Sequence, residues 1–405
     1  MYPSEIIEKY SKELEPDSID LLKQSADEVV RAKKHGKKVV VATGSGPNIH
    51  EGVTSLISEL IRKKIIDGVL TSSAVVAHEM GGVLDKVKRI NADLIGADHL
   101  DLKKMCRGNI FELSVLPDDI WKSISSEMVL DYDLIKKCKD NDGRIIIKAA
   151  GNMAYPMGLW IETVAGEIGD LSRNKGLPFE YVAGIGCDKR TMLGAGSEMN
   201  VPVMVTIPQL IGGGHVGISI GDSISVSERC SRIARILDSA DVIIESAVAL
   251  TQEIHDGPFE TYTGHGIWAD WMGYWTYSLK GKTLVRFDLD RNLKKAWDLE
   301  KQEGEVQRAI DDGLPKTKLT KIPFRMEMSA FSRLENSIPV VGDIGVIWPI
   351  FASMVALELG IELDFISHPQ QTQEGKKMRE EIVDNMRPID INRIRNWSKQ
   401  YKENN

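Results

Sequence analysis

The order of short β-branched runs and helical stretches constrains the fold of this chain more than any other feature. Residues 37–44 read KKVVVATG and residues 67–74 read DGVLTSSA, with the helix-like SLISELIRKK between them. Strand, glycine-rich turn, helix and strand make a βαβ unit, in which the strands are parallel and the crossover is right-handed. The pattern predicts a Rossmann-like, doubly wound α/β fold with one continuous, mostly parallel sheet and helices on both faces. Further runs begin at Arg144, Pro202, Asp241, Thr283 and Ile338.

Charge and composition argue against several classes of partner. The 405-residue chain has a net charge of −8, whereas nucleic-acid affinity comes mainly from clustered lysines and arginines, so we expect no nucleic-acid partner. The chain shows no signal-like segment and no uninterrupted apolar run of about 18 residues. We therefore expect a cytoplasmic protein without a membrane span. The four cysteines form no CxxC pair, which argues against a zinc knuckle or a disulfide framework.

The glycine-rich turn after the first strand is the first candidate binding element. In open parallel sheets, ligands bind beyond the carboxyl ends of the strands, where loops converge and helix N-termini offer unpaired N–H groups. Gly44, Ser45 and Gly46 would let backbone amides approach the pyrophosphate of a dinucleotide closely. The alternative is a tight strand-to-helix connection that binds nothing.

Polar side chains also follow the other predicted strands. His78 and Glu79 lie near a predicted helix start, where a carboxylate could hold a substrate ammonium group and a histidine could move a proton. Both could equally be solvated and idle. Gly214 and His215, in PQLIGGGHVGI, and Glu253, after the next strand, are candidate substrate-binding residues.

Two late aspartates are candidates for cofactor binding. Asp288 and Asp343 each follow a β-branched run into a turn, where a carboxylate could accept hydrogen bonds from a ribose diol. Capping of the following helix explains Asp288 equally well. We predict no metal site, because the nearest candidates have no recognised ligand spacing. Those candidates are His255, Asp256, His265 and Asp270.

These segments together resemble the deoxyhypusine synthase-like superfamily of NAD-binding proteins. Residues 46–82 are similar to the G-P-x-x-H turn and the A-V-H-D type strand exit of archaeal-type ornithine cyclodeaminases, the LOR/SDH conserved-region branch. NVPVMV, VRFDLD and VVGDIGVIWP follow in the order of that branch. SSAVVAHE is similar to T-T-A-G-G-V-E-E-D of deoxyhypusine synthase itself. PQLIGGGHVGI lacks the two polyamine-binding aspartates of that enzyme, and its catalytic lysine motif has no counterpart.

The resemblance implies an NAD-dependent enzyme that oxidises an amine or amino acid transiently to an imine. Glu79 would bind the ammonium group, His78 or His50 would transfer a proton, and Ser72 and Ser73 would line the NAD with the glycine turn and Asp343. An ornithine cyclodeaminase-like C–N lyase is one hypothesis. A deoxyhypusine or homospermidine synthase-like aminoalkyl transferase and a non-catalytic NAD-binding protein are the alternatives. The resemblance also implies a homo-oligomer, a dimer or a tetramer.

Three regions are predicted along the chain. Residues 1–36 form an N-terminal helical segment, 37–372 the NAD-binding α/β domain, and 373–405 a C-terminal helical tail. Periodicity predicts helices over about 157–174, 189–200, 224–239 and 345–359. The segment at about 255–280, with three tryptophans and two histidines, is interpreted as an inserted lid or an oligomer contact.

Overall fold

A six-stranded parallel sheet forms the centre of the protein. The computed structural model describes residues 3–96, 109–151, 154–247, 279, 281–304, 308–309, 311–315, 318, 321–322 and 335–403. The strand order is β6-β2-β1-β7-β8-β9, and every neighbouring pair is parallel. This is the order of a doubly wound Rossmann-like sheet, so the predicted fold class is confirmed. The strands are β1 Val39–Thr43, β2 Gly68–Thr71, β6 Val203–Val205, β7 Val242–Ser246, β8 Thr283–Asp288 and β9 Ser337–Val341.

The central strands read as continuous apolar runs because both of their faces are covered. In β1, Val39 and Val41 pack into the larger hydrophobic core, whereas Val40 and Ala42 pack into a second core on the opposite face. Successive side chains of a strand point to opposite faces, so a strand covered on both sides needs apolar residues at every position.

A second, antiparallel sheet corrects the prediction of one continuous sheet. It has the order β4-β3-β5, with β3 Leu84–Asn91, β4 Ile110–Ser114 and β5 Arg144–Ala149. The run that begins at Arg144 therefore pairs outside the parallel sheet. Arg144 is exposed and Ile145 retains 58% of its accessible surface, so this apolar run is not a strand covered on both faces.

The helices cover both faces of the parallel sheet. The four predicted helical ranges correspond to the helices Met157–Lys175, Met192–Met199, Val226–Ser239 and Ile344–Leu359. The helices of the described residues are α1 Pro3–Ser11, α2 Pro16–Lys34, α3 Pro47–His50, α4 Val53–Arg62, α5 Ser73–Met80, α6 Ala92–Ile95, α7 Asp118–Glu127, α8 Tyr132–Asp140, α9 Met157–Lys175, α10 Phe179–Gly186, α11 Met192–Met199, α12 His215–Ser223, α13 Val226–Ser239, α14 Arg291–Glu303, α15 Ile344–Leu359, α16 Gln373–Asn385 and α17 Ile391–Glu403.

Both terminal segments pack against the α/β core. Tyr10 of α1 and Leu22 of α2 are fully buried in the larger core, and Ser18 donates a hydrogen bond of 2.7 Å to the carbonyl oxygen of Val341. Ile382 of α16 and Ile394 of α17 belong to the same core. Boundaries at residues 36 and 372 therefore remain a prediction. In the described part of the chain, no helix has the length and apolar character needed to cross a membrane.

Candidate functional site

The strand order of the parallel sheet reverses between β1 and β7, and the glycine turn lies at this point. Such a reversal opens a crevice at the carboxyl edge of the sheet, which is where ligands bind in doubly wound folds. Ser246, at the end of β7, donates a hydrogen bond of 2.6 Å to Asn48 Oδ1 and accepts one of 2.8 Å from Trp348 Nε1. All three side chains are buried, so this network fixes the base of the turn.

The turn itself is open toward solvent. Gly46 has φ +66° and ψ −123°, a conformation that only glycine adopts without strain, and beyond its chain neighbours no atom of the described residues lies within 4 Å of where a Cβ would be. Within the described part of the chain, the N–H groups of Ser45 and Gly46 donate to no acceptor. The helix that follows is a single turn, α3, and a left-handed Gly52 separates it from α4. The turn therefore places two donors, unpaired among the described residues, beside the crevice.

The hydroxyl groups of the two serines after β2 form hydrogen bonds with the protein backbone. Ser72 caps α5 by accepting a hydrogen bond of 3.3 Å from the N–H of Val75. Ser73 donates to the carbonyl oxygen of Gln209 at 2.6 Å and accepts from the N–H of Gly213 at 2.9 Å. Ser73 thus fixes α5 to the loop after β6 and has no free proton for a dinucleotide, whereas the O–H of Ser72 has no acceptor among the described residues and can still donate.

His78 retains one ring nitrogen for chemistry. Its Nδ1 lies 2.6 Å from the carbonyl oxygen of Ala150, which can only accept, so Nδ1 carries the proton and Nε2 keeps a lone pair. Burial lowers the pKa of His78 from 6.5, and the charges of His50 and Lys148 lower it further. The imidazole is therefore neutral near pH 7 and is suited to accept a proton.

His50, at the end of α3, lies near His78. Burial lowers the pKa of His50, and the cations Arg379 and Lys148 lower it further. Lys148 on β5 forms an ion pair with Glu112, and Arg379 on α16 donates a hydrogen bond of 2.6 Å to the carbonyl oxygen of Ile147. We call His50, His78, Lys148 and Arg379 the histidine cluster. The sequence missed both cations, which come from the small sheet and the C-terminal helices and follow no motif.

Glu79, next to His78, is held differently. It is fully buried, and its two carboxylate oxygens accept hydrogen bonds of 2.8 and 2.9 Å from the N–H groups of Met192 and Leu193 at the start of α11. Burial raises the pKa of Glu79 to about 7, although these two N–H groups lower it. The side chain therefore caps α11, and this geometry does not support the expected contact with a substrate ammonium group.

Two further carboxylates converge beside α3. Asp343 accepts a hydrogen bond of 2.8 Å from the N–H of Gly345 and so caps α15. Glu51 is buried and accepts a hydrogen bond of 2.7 Å from the N–H of Gln370. Burial raises the pKa of Glu51, the nearby Asp343 carboxylate raises it further, and Arg379 lowers it. Sequence analysis did not single out Glu51, which follows the G-P-x-x-H turn directly.

Asp288 belongs to a buried ion-pair network away from the histidine cluster. Arg286 donates hydrogen bonds of 2.9 Å to Asp288 and 2.8 Å to Glu245, and Asp288 also accepts one of 2.9 Å from the N–H of Asp290. Asp290, and not Asp288, caps α14. Because both oxygens of Asp288 have protein partners, its assignment to the ribose stays a prediction without structural support.

The remaining predicted residues lie beside the crevice or outside the described residues. Gly214 and His215 are exposed at the start of α12, where His215 Nδ1 lies 2.8 Å from the carbonyl oxygen of Glu162. Ser73 ties this loop to α5 through Gly213. Glu253, the segment at 255–280 and the four weighed metal ligands lie outside the described residues, apart from Leu279. Within the described ranges, no group of three or more histidine, cysteine or acidic side chains could hold a metal ion.

Comparison with known proteins gives weak similarities only. No family model and no curated protein matches the chain. The ternary complex of AgrE with ornithine and NAD+ is 14% identical at a TM-score of 0.40, over 85% of this chain and 33% of that one. ArgZ, an arginine dihydrolase from the ornithine-ammonia cycle in Cyanobacteria, is 13% identical at a TM-score of 0.39, over 85% and 32%. A putative LOR/SDH protein from Methanococcus maripaludis S2 is 11% identical at 0.40, over 85% and 71%.

The chain spans about a third of the length of the AgrE and ArgZ chains. Identities and TM-scores this low do not transfer an activity, so the function has to be argued from the site.

Proposed function

We propose that this protein binds NAD at the crevice between β1 and β7 and acts on an amine or amino acid. The observation that carries the proposal is the turn at residues 44–46, where the N–H groups of Ser45 and Gly46 have no acceptor among the described residues and lie where the strand order reverses. Unpaired N–H groups in a concave turn bind anions, and a dinucleotide brings a pyrophosphate to this place in doubly wound folds. The open space at Gly46 allows the close backbone approach that such binding needs.

The histidine cluster suits the chemistry of an amine. When bound, NAD accepts a hydride from the carbon that bears the nitrogen, which leaves an imine open to attack by a nucleophile. His78 Nε2 and the neutral His50 can take the proton from the amine or from the attacking group. In this proposal Glu51 and Asp343 attract the substrate ammonium group in place of Glu79, because both carboxylates lie beside His50 on α3. The resulting activity is that of a C–N lyase of the ornithine cyclodeaminase type.

A non-catalytic NAD-binding protein is the second candidate. Three of the residues expected to contact cofactor or substrate form hydrogen bonds with the protein's own backbone: Ser72, Ser73 and Glu79. This candidate predicts tight NAD binding without turnover of any amine.

The first experiment identifies the nucleotide. We expect heat denaturation of the purified protein, or of protein first incubated with NAD+, to release NAD that mass spectrometry detects. A protein that retains no nucleotide under either condition would contradict the proposal.

The second experiment separates the activities. With catalytic NAD+, a lyase releases ammonia from a basic amino acid such as ornithine, whereas an aminoalkyl transferase moves the aminobutyl group of spermidine to putrescine and releases 1,3-diaminopropane in place of ammonia. We expect ammonia, and we expect His78→Gln to lower the rate by about 100-fold or more, the usual contribution of a general base. Binding of NAD without either product would favour the non-catalytic candidate.

A further inference from the structure

A cavity of about 480 Å³ lies at the amino end of the parallel sheet, away from the crevice. It is enclosed by α10, α11, α13 and the edge strand β6, and Leu177, Val201, Val203 and Ile236 supply much of its apolar wall. A size of 300–1,000 Å³ with apolar walls and a few polar groups is typical of small-molecule sites.

The cavity also exposes part of the edge of the sheet. Glu180 accepts a hydrogen bond of 2.7 Å from the N–H of Val205, and Arg229 donates one of 3.2 Å to its carbonyl oxygen. Residues two apart in a parallel strand direct their backbone groups to the same side. The N–H and C=O of Val203 therefore also point away from β2, toward the cavity that Val203 lines.

A second cavity of about 520 Å³ adjoins the first and carries positive charge. The two share Asn200, Val201, Pro202, Arg235 and Ile236 in their walls. Lys38 and Lys64 line the second cavity, and neither forms an ion pair with an acidic side chain of the described ranges.

The acidic groups nearby have partners of their own. Glu180 is paired with Arg229, and Asp67 with Lys33. In a chain with a net charge of −8, this end of the sheet thus combines an apolar wall with two lysines that have no acidic partner in the described ranges.

We propose that these adjoining cavities form a second binding site, for a small amphipathic anion. The apolar body of the ligand lies against Leu177, Val203 and Ile236, and its carboxylate or phosphate lies near Lys38, Lys64 and Arg235. Charge complementarity and the change from apolar to cationic walls favour this ligand over a neutral one. Leu193, which also lines the apolar cavity, donates its N–H to Glu79, so an occupant would contact the helix that holds α5.

Calorimetric titration with octanoate tests the site, with 1-octanol as the uncharged match and octyl phosphate as the second anionic head group. We expect saturable binding of octanoate or octyl phosphate at one site per chain, at least about tenfold tighter than that of 1-octanol, because the anion gains charge-assisted hydrogen bonds. The tighter of the two anions identifies the head group. Equal affinity for 1-octanol and both anions, or no saturable binding, would overturn the proposal.

Substitutions in the two cavities test where the anionic head group and the apolar body of the ligand bind. Lys38→Gln with Lys64→Gln should weaken the anion by about tenfold and leave 1-octanol unchanged, whereas the matched pair Lys376→Gln with Lys377→Gln, exposed on α16, should change neither. Ser197→Phe, which places a ring at the cavity wall, should abolish binding of all three compounds at an unchanged melting temperature.

An equal loss in the control pair would overturn the proposal. So would an oligomer, seen by light scattering, that Ser197→Phe dissociates, because a subunit contact would then occupy this face.

Discussion

The buried charged side chains on the two sides of the strand-order reversal have different kinds of partner. On the β7–β8 side, Arg286 lies between Glu245 and Asp288, so each buried charge faces an opposite one. On the β1–β2 side, His78 and Glu79 are equally buried, but their hydrogen-bond partners are backbone groups. Burial favours the neutral form of an ionisable group: it raises the pKa of Asp288, which Arg286 beside it partly opposes, and it raises the pKa of Glu79, which has no ion pair among the described residues. The comparison assigns stability to the first side and proton chemistry to the second.

Removal of the cation from the paired side should lower the free energy of unfolding the most. We expect Arg286→Met to lower the free energy of unfolding by about 3–5 kcal/mol, because it leaves two carboxylates buried without a cation. Urea denaturation measures it. Arg291→Met, which removes only an exposed pair with Glu15, is the control and should cost less than about 1 kcal/mol. Equal losses in both variants would remove the distinction between buried and exposed pairs.

On the unpaired side, the contribution of Glu79 to the free energy of unfolding should depend on pH. The native carboxyl, with a pKa of about 7, holds its proton more tightly than the unfolded one, with a pKa of 4.5. Its stabilisation is therefore complete below pH 4.5 and is lost as the pH rises to about 7. From pH 4.5 to 8, we expect the difference in unfolding free energy between the wild type and Glu79→Gln to fall by about 3 kcal/mol. Asp85, whose pKa burial also raises to about 7, titrates in both proteins and cancels.

Denaturation at several pH values tests this prediction. A constant difference between the two proteins would mean that the helix cap keeps Glu79 ionised.

The stability contribution of His78 should change with pH in the opposite direction to that of Glu79. Since burial lowers its pKa below 6.5, its contribution to stability is present above pH 6.5 and is lost as the pH falls through the native pKa. Nitrogen-detected NMR should find the Nδ1–H tautomer at pH 7 and an apparent pKa below 6.5. A protonated His78 at pH 7 would contradict its role as a base.

The sequence predicted the parallel sheet well because β1, β2 and β7 are short β-branched runs that end at glycine or serine, as in KKVVVATG and DGVLTSSA. It failed at the small sheet. RIIIKA looks like a strand covered on both faces, and its partner LDKVKRIN carries four charged residues and lacks the apolar run of a central strand. A local pattern does not say which sheet a run joins.

The candidate site was predictable only where its chemistry is local. The glycine turn and His78 are visible in sequence, because backbone freedom and an imidazole are properties of single residues. The role of Glu79 was not, since the amides it accepts from lie 113 and 114 residues along the chain. Lys148 and Arg379 reach the cluster from β5 and α16, and tertiary packing alone brings them there.

Titration of NAD+ into three proteins tests the central claim most directly. Gly46 and Gly36 have φ values of +66° and +69°, and beyond the chain neighbours no atom of the described residues lies within 4 Å of where either Cβ would be, so valine at either position strains the backbone. Only Gly46 lies at the crevice; Gly36 lies before β1 at the opposite edge. The account predicts that Gly46→Val lowers NAD affinity at least about tenfold, through lost amide contacts, and that Gly36→Val binds as the wild type does. Equal binding by all three proteins, or none by the wild type, would contradict it.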